Sequence, residues 1–298
     1  MSSNTPAHSA QPTNGRGRGP APGAQEGRGG ASAGEQATGG SGSGEGRVCV
    51  AFTFFRLRPS AFALLPDERR RLAAAFEAAV DDAADDLGIL RSYSLVGLRS
   101  DADFLLWLAS ERPEGLQQFA ARLRTTGLYA HLEVAYQYLA MTRRSIYVDR
   151  HVHAGQDGRR TQVQPAGAPY LFVYPFVKTR AWYALSREER QRMMNEHIAT
   201  GHRFPGVKIN TTYSFGIDDQ EFVVAFEAES PAEFVDLVME LRSSAASAYT
   251  LRDTPAFTAV AQPLGRALEL ALGLASSEPA PPRTPALDQE LATAGASR

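Results

Sequence analysis

YLFVYPFVKTRAWYALSREERQRMMNEHIATGHRFPGVKINTTYSFGIDDQEFVVAFEAE, residues 170–229, is the stretch from which the fold can be read. Its opening, YLFVYPFVKT, is dense in aromatic and β-branched residues and reads as a strand. LSREERQRMMNEHIATGHRF then reads as a helix. Ser186 stands at its N-cap with Glu189 three residues on, which is a capping box. VKINTTYSFGIDDQEFVVAFEAE reads as two strands around a tight turn. Asp218 and Asp219 follow Gly216 there and suit a turn better than an acid/base dyad. SPAEFVDLVMELRSSAASAYT continues as a helix with a second box, Ser230 and Glu233, and TPAFTAVAQPL is the last strand.

Upstream the same order occurs once already. VCVAFTFFRL reads as a strand, and LPDERRRLAAAFEAAVDDAADDLG as a helix with Leu72, Phe76 and Val80 at helical spacing. ILRSYSLVGLRSDADFLLWLAS is a hairpin turning near Leu98–Asp101. PEGLQQFAARLRTTGLYAHL is a helix opened by Pro113, and EVAYQYLAMTR a strand. The letters echo as well: LPDERRR matches LSREERQ, YSLVGL matches YSFGID, and PEGLQQFAARLR matches PAEFVDLVMELR, at an offset of about 120 residues. The chain is therefore a duplication of a βαββαβ unit, the ferredoxin-like pattern. The fold class is α+β, with the two units forming a dimeric α/β-barrel-like chain, sheets together and helices outside.

Five segments follow. Residues 1–46, rich in Gly, Ser, Ala and Pro, are a disordered arm without apolar side chains to bury. Residues 47–142 and 169–265 are the two halves, joined by a polar linker, 143–168, that carries His151 and His153. Residues 266–298 are a mostly loose extension. The arm's Arg16, Arg18 and Arg28 lack interleaved aromatics, so it reads as a solubilising tail and not as a nucleic-acid binder.

Composition narrows the function. A net charge of −2 gives no basic field for nucleic acid or membrane. The single Cys49 rules out an intrachain disulfide framework or a cysteine-ligated zinc site. No secretory leader or membrane span is legible, which implies a cytoplasmic protein. HExxH, GxSxG, a P-loop and a strand-following GxGxxG are all missing, which sets aside the common hydrolase, NTPase and dinucleotide classes.

The two halves differ in chemistry, and the difference points to a site. The offset places Glu77 opposite His197, so the second helix has gained a histidine that symmetry does not require. Met193 and Met194 stand one turn before it, Thr200 and Gly201 one turn after, which leaves room for a flat ligand. A helix histidine is nonetheless as compatible with a surface or hydrogen-bonded role as with a metal. Tyr174 reads as a strand tyrosine, by itself a core residue with a bonded hydroxyl. Lys178, four residues on, shares its face and suits an anionic ligand or solvent. Phe176, Trp182 and Tyr183 could wall a flat pocket or fill core.

The run YPFVKTRAWYALSREERQRMMNEH, then HxxxGxxFPGVK and YSFGIDDQEFVVAFE, resembles the chlorite dismutase-like family, most closely its coproheme decarboxylases, from Val48 to Leu264. The resemblance implies an iron porphyrin in the C-terminal half, with coproheme III as substrate and haem b as product, and rings of subunits, typically pentamers. It implies His197 as the iron ligand, Tyr174 as the catalytic tyrosine, and Lys178 near the reacting propionate. Trp182 and Ile209 line the porphyrin, and His151, with His153 as fallback, stands on the distal side. Chlorite dismutases carry an arginine where this chain has Ile209, and an acidic partner of the proximal histidine where it has Ala246. Both departures disfavour chlorite chemistry.

The mechanism implied is oxidative: hydrogen peroxide oxidises the iron porphyrin, Tyr174 becomes a radical and takes hydrogen from a propionate, and carbon dioxide leaves. A transient contact with the pathway's ferrochelatase is implied as well. A haem carrier and a weak haem peroxidase are the competing expectations.

Overall fold

The computed structural model describes residues 46–84, 87–147 and 163–275. The arm up to residue 45, His151 and His153 of the linker, and the tail from residue 276 lie outside the described residues.

The first half runs β1 (Cys49–Leu57), α1 (Pro59–Phe62), α2 (Pro66–Asp81), β2 (Ile89–Ser94), β3 (Phe104–Ser110), α3 (Pro113–Arg124) and β4 (Leu132–Met141). The second runs β5 (Tyr170–Lys178), α4 (Arg180–Ala184), α5 (Arg187–Gly201), β6 (Val207–Tyr213), β7 (Phe222–Ala228), α6 (Pro231–Arg242), β8 (Thr250–Arg252), β9 (Phe257–Ala261) and α7 (Leu264–Ala271). Within each half the strands order alike, β4-β1-β3-β2 and β9-β5-β7-β6. β2 then pairs with β9 and β4 with β6, so the sheet closes on itself as an antiparallel barrel, with β8 appended to the end of β5. Both junctions are short, two residue pairs between β2 and β9 and one, Met141 with Tyr213, between β4 and β6.

A strand between an interior and a helix layer must be apolar on both faces, and β3 (FLLWLAS) is buried at every position. The barrel interior is filled by Phe52, Phe54, Tyr93, Trp107, Tyr138, Val173, Val223 and Phe257, among others. Outside the first half, α2 presses Phe76 onto Phe55 and Phe104, with ring centroids 6.2 and 6.1 Å apart. Outside the second half a smaller core, built on Phe172, Val207, Val224, Phe226 and Leu237, sits under α6. Phe234 of α6 stacks on Phe172 at 3.9 Å.

Four sequence expectations change. The extension read as loose from residue 266 contains α7 as far as Ala271. Leu264, Ala267, Leu268 and Ala271 are buried against the first half, and the Arg69 guanidinium donates to the Leu272 carbonyl at 2.6 Å. The second capping box does not form: Ser230 accepts from the Ala232 amide, but the Glu233 carboxylate turns to the Gly206 amide. The helices read through 132 and 250 stop at Arg124 and Arg242, and separate 3-10 turns follow, Gly127–His131 and Ala245–Tyr249. Finally, the matching letters YSLVG and YSFGI are not structural equivalents. Tyr93 pairs with Leu105 and points into the barrel, whereas Tyr213 pairs with Phe222 on the other face. A one-residue slip reverses every side chain of a strand.

Candidate active site

The outer face of the second half is built in rows across β5, β7 and β6. Phe172 faces Phe226, which faces Ile209; Tyr174 faces Val224, which faces Thr211. Tyr174 stacks on Phe226, centroids 5.9 Å apart at 23°. Ile209, on the same face, is 52% exposed.

α5 follows β5 and α4 in the chain and lies beside α6. Its capping box forms as read: the Glu189 amide donates to Ser186 Oγ at 3.2 Å and the Ser186 amide to the Glu189 carboxylate at 3.0 Å. Met193 buries one turn before His197, packed with Trp182 and Ala246, and Thr200 buries one turn after. Where α2 presses Phe76 onto the sheet, the 120-residue offset puts the exposed Glu196 on α5. The second helix thus lacks the aromatic filler of the first.

His197 is half-buried, and its Nδ1 is buried without a hydrogen-bond partner. Burial first, and the Lys178 charge second, push its imidazolium down to about 4. The ring is therefore neutral at physiological pH, the form in which an imidazole binds a metal. Among the described residues no three His, Cys, Asp or Glu side chains gather as a metal site. A lone neutral imidazole with no further protein ligands gathered round it fits a metal that arrives already held by a flat macrocycle.

Lys178 is buried at the end of β5. Its ammonium donates to the Ala246 carbonyl at 2.7 Å and lies over the faces of Trp182 and Phe176, at 4.7 and 5.2 Å. Burial pulls it down to about 8, partly opposed by Glu221. Where the resemblance implies an acidic partner for the histidine, the structure has the buried methyl of Ala246. Trp182 is 3% exposed and supports Lys178 and Met193 from beneath. The phenol of Tyr174 is pushed up to about 12, by burial and then by Asp253.

The structure thus gathers His197, Lys178 and Trp182 around the α5 anchor, and sets Tyr174 and Ile209 on the sheet face. Two carboxylates escaped the sequence reading. Glu221 accepts from the Tyr183 hydroxyl at 2.6 Å and from the Lys178 amide at 2.8 Å, fixing the end of β5. Glu227, fully buried inside the barrel, accepts from the Ala166 and Gly167 amides at 2.7 and 2.9 Å and from Asn210 at 3.3 Å. Its signal lies in the period-2 run Val223, Ala225, Glu227: an inward carboxylate among apolar residues needs partners.

A family model described as Chlorite dismutase matches residues 69–262. The coproheme decarboxylase of Mycolicibacterium smegmatis is 34% identical over 208 residues, covering 67% of this chain and 86% of that protein. The coproheme decarboxylase of Staphylococcus carnosus is 30% identical over 199 residues, covering 60% and 77%. Among solved structures, chlorite dismutase from Candidatus Nitrospira defluvii in complex with imidazole aligns with a TM-score of 0.68 at 25% identity, over 78% of this chain and 97% of that one.

Proposed function

Because the chain belongs to the chlorite dismutase family, we propose that it is a coproheme decarboxylase, converting the two reactive propionates of iron coproporphyrin III to vinyl groups to give haem b. The observations that carry this reading are the neutral His197 imidazole, its Nδ1 buried and unpartnered, and the Tyr174 phenol on the outer sheet face of the same half. The redox chemistry comes with the iron porphyrin, which is here the substrate.

The chain's own residues bind, orient and transfer hydrogen. His197 holds the iron through one ring nitrogen. Tyr174, kept protonated by burial, would give its hydrogen atom to the oxidised substrate and then take one back from the β-carbon of a propionate, which re-forms the O–H as carbon dioxide leaves. Each propionate, with one hydrogen peroxide and one proton, becomes a vinyl group, one carbon dioxide and two waters. Lys178 keeps its charge on the His197 side, held by the Ala246 carbonyl, and leaves the ring nitrogen free of a competing proton. Ile209 brings neither charge nor hydrogen bond to the sheet face, which supports decarboxylation over chlorite chemistry. The base that deprotonates peroxide (His151, with His153 as fallback), the pentameric ring, the cytoplasmic setting and a ferrochelatase contact belong to the same proposal and rest on the resemblance.

Mass spectrometry of the protein mixed with coproheme and hydrogen peroxide tests the reading. Two successive losses, each of one carbon dioxide and two hydrogens, are the expected result. Bound porphyrin of unchanged mass would instead make the chain a carrier.

A further inference from the structure

α5 raises a mechanical question: what holds the C-terminal half of the helix, and His197 with it, in place. The N-terminal half is anchored by Met193 against Trp182 and Ala246. Beyond His197 the helix buries Thr200. The helix exit is tightly wound: the His202 amide donates to Ile198, Arg203 to Thr200, Phe204 to Gly201 and Val207 to Phe204, at 3.0–3.1 Å. A movement of this exit therefore passes straight into the helix.

Beside the apolar packing of Phe204 in the cluster with Phe234, Leu237 and Leu241, two polar contacts tie the exit to α6. The Gly206 amide donates to Glu233 Oε1 at 3.1 Å, and the Arg203 guanidinium to Glu240 at 2.8 Å. The second is exposed on both sides and contributes little. The first is partly buried and charge-assisted. A Cβ on residue 206 would run into the Glu233 carboxylate, so any larger residue there must push that carboxylate off the amide. α6 is in turn fixed to the sheet by Phe234 on Phe172 and by the buried Leu237.

We propose that Glu233, acting through the Gly206 amide, is a positioning residue that sets the position of the C-terminal half of α5 and so presents His197 to the iron. The inference rests on the reading of His197 as the iron ligand. The carboxylate touches neither substrate nor iron. It has been diverted from capping its own helix, the use that the spacing to Ser230 suggests, to holding its neighbour.

The test compares Glu233→Ala, Glu233→Gln and Gly206→Ala in the full chain. Two readouts are taken: hydrogen exchange of the amides from 198 to 207 without ligand, and ferric coproheme binding by Soret titration. Glu233→Ala and Gly206→Ala should each speed exchange about tenfold and weaken coproheme about tenfold, the scale of one lost charge-assisted hydrogen bond. Glu233→Gln keeps a carbonyl acceptor and should stay within about twofold on both. Gly206→Ala keeps the Glu233 side chain but drives its carboxylate off the 206 amide, and carries the same prediction should Glu233→Ala fold poorly. Wild-type exchange and affinity in Glu233→Ala, or a Glu233→Gln as impaired as the alanine, would overturn the proposal. His197→Ala is measured alongside: an unchanged Soret band there would sink the ligand reading, while the exchange data still decide the clamp.

Discussion

Replacing Tyr174 by Phe removes one oxygen and leaves the ring on Phe226. The loss to folding should stay under about 1 kcal/mol, the scale of a single neutral hydrogen bond. The effect on catalysis should be far larger. A phenol held near 12 is ionised in roughly one molecule in thirty thousand at pH 7.5, so the O–H is present throughout the physiological range. A positioned proton donor or acceptor is worth about 10²–10⁴ in rate. Here the hydrogen is itself transferred, so Tyr174→Phe should slow haem b formation by at least about 10³, with coproheme affinity changed less than about twofold. Single-turnover mixing with peroxide, acid quench and chromatography with mass detection give the rate, and a Soret titration gives the affinity. The pH profile adds a sign: an acid with a raised pKa keeps its proton longer, so no rate loss between pH 8 and 10 should trace to this phenol. Haem b formation within tenfold of wild type would refute the role of Tyr174. A matching loss of affinity would make it a binding residue instead.

Three further outcomes follow from particular contacts. His197→Ala removes a buried nitrogen that has no partner, so the apoprotein should lose little stability by thermal melting. Ferric coproheme should bind at least about 100-fold more weakly, since losing even an outer partner of a ligand costs 10–100-fold. Glu227→Ala orphans the Ala166 and Gly167 amides inside the barrel, which should cost about 2–4 kcal/mol and lower the melting temperature by roughly 5–15 °C in differential scanning calorimetry. Asp101 is held down to about 2, chiefly by hydrogen bonds from Arg99 and also by the Tyr136 hydroxyl, so its contribution is present above about pH 4 and lost as pH falls toward 2. Its side chain is about a third exposed, and solvent screening should reduce that contribution to about 1 kcal/mol. Urea denaturation should show Asp101→Asn less stable by that amount at pH 7 and without this acid-linked loss. An equal acid loss in both proteins would place it elsewhere.

The duplication was legible because its signals are local. Strand alternation, the Ser186–Glu189 cap and Pro at helix starts depend on neighbours a few residues apart, and all recur in the structure. The departure of one copy from the other was legible too. A histidine where the first copy has Glu77, and Glu196 where it has Phe76, already say that the second helix does not fill the space that the first one fills.

What the chain order could not tell was decided by contacts between distant residues. Tyr93 and Tyr213 sit in the same words, yet face opposite sides, because register is set by which residue of β3 or β7 each strand meets. α7 looked like a tail until β2 and β9 came together and brought its apolar face onto α2. Glu233 has Ser230 beside it in sequence but finds Gly206 in space. Lys178 could be placed on the face of Tyr174, but not with its ammonium over the Trp182 ring and on the Ala246 carbonyl. In each case the local pattern allows several partners, and the closed barrel admits one. The sequence alone thus determined the βαββαβ duplication and the asymmetric histidine. The tertiary structure decided the state of that histidine, a neutral ring with a buried, unpartnered Nδ1, because burial and long-range packing act only once the chain has folded.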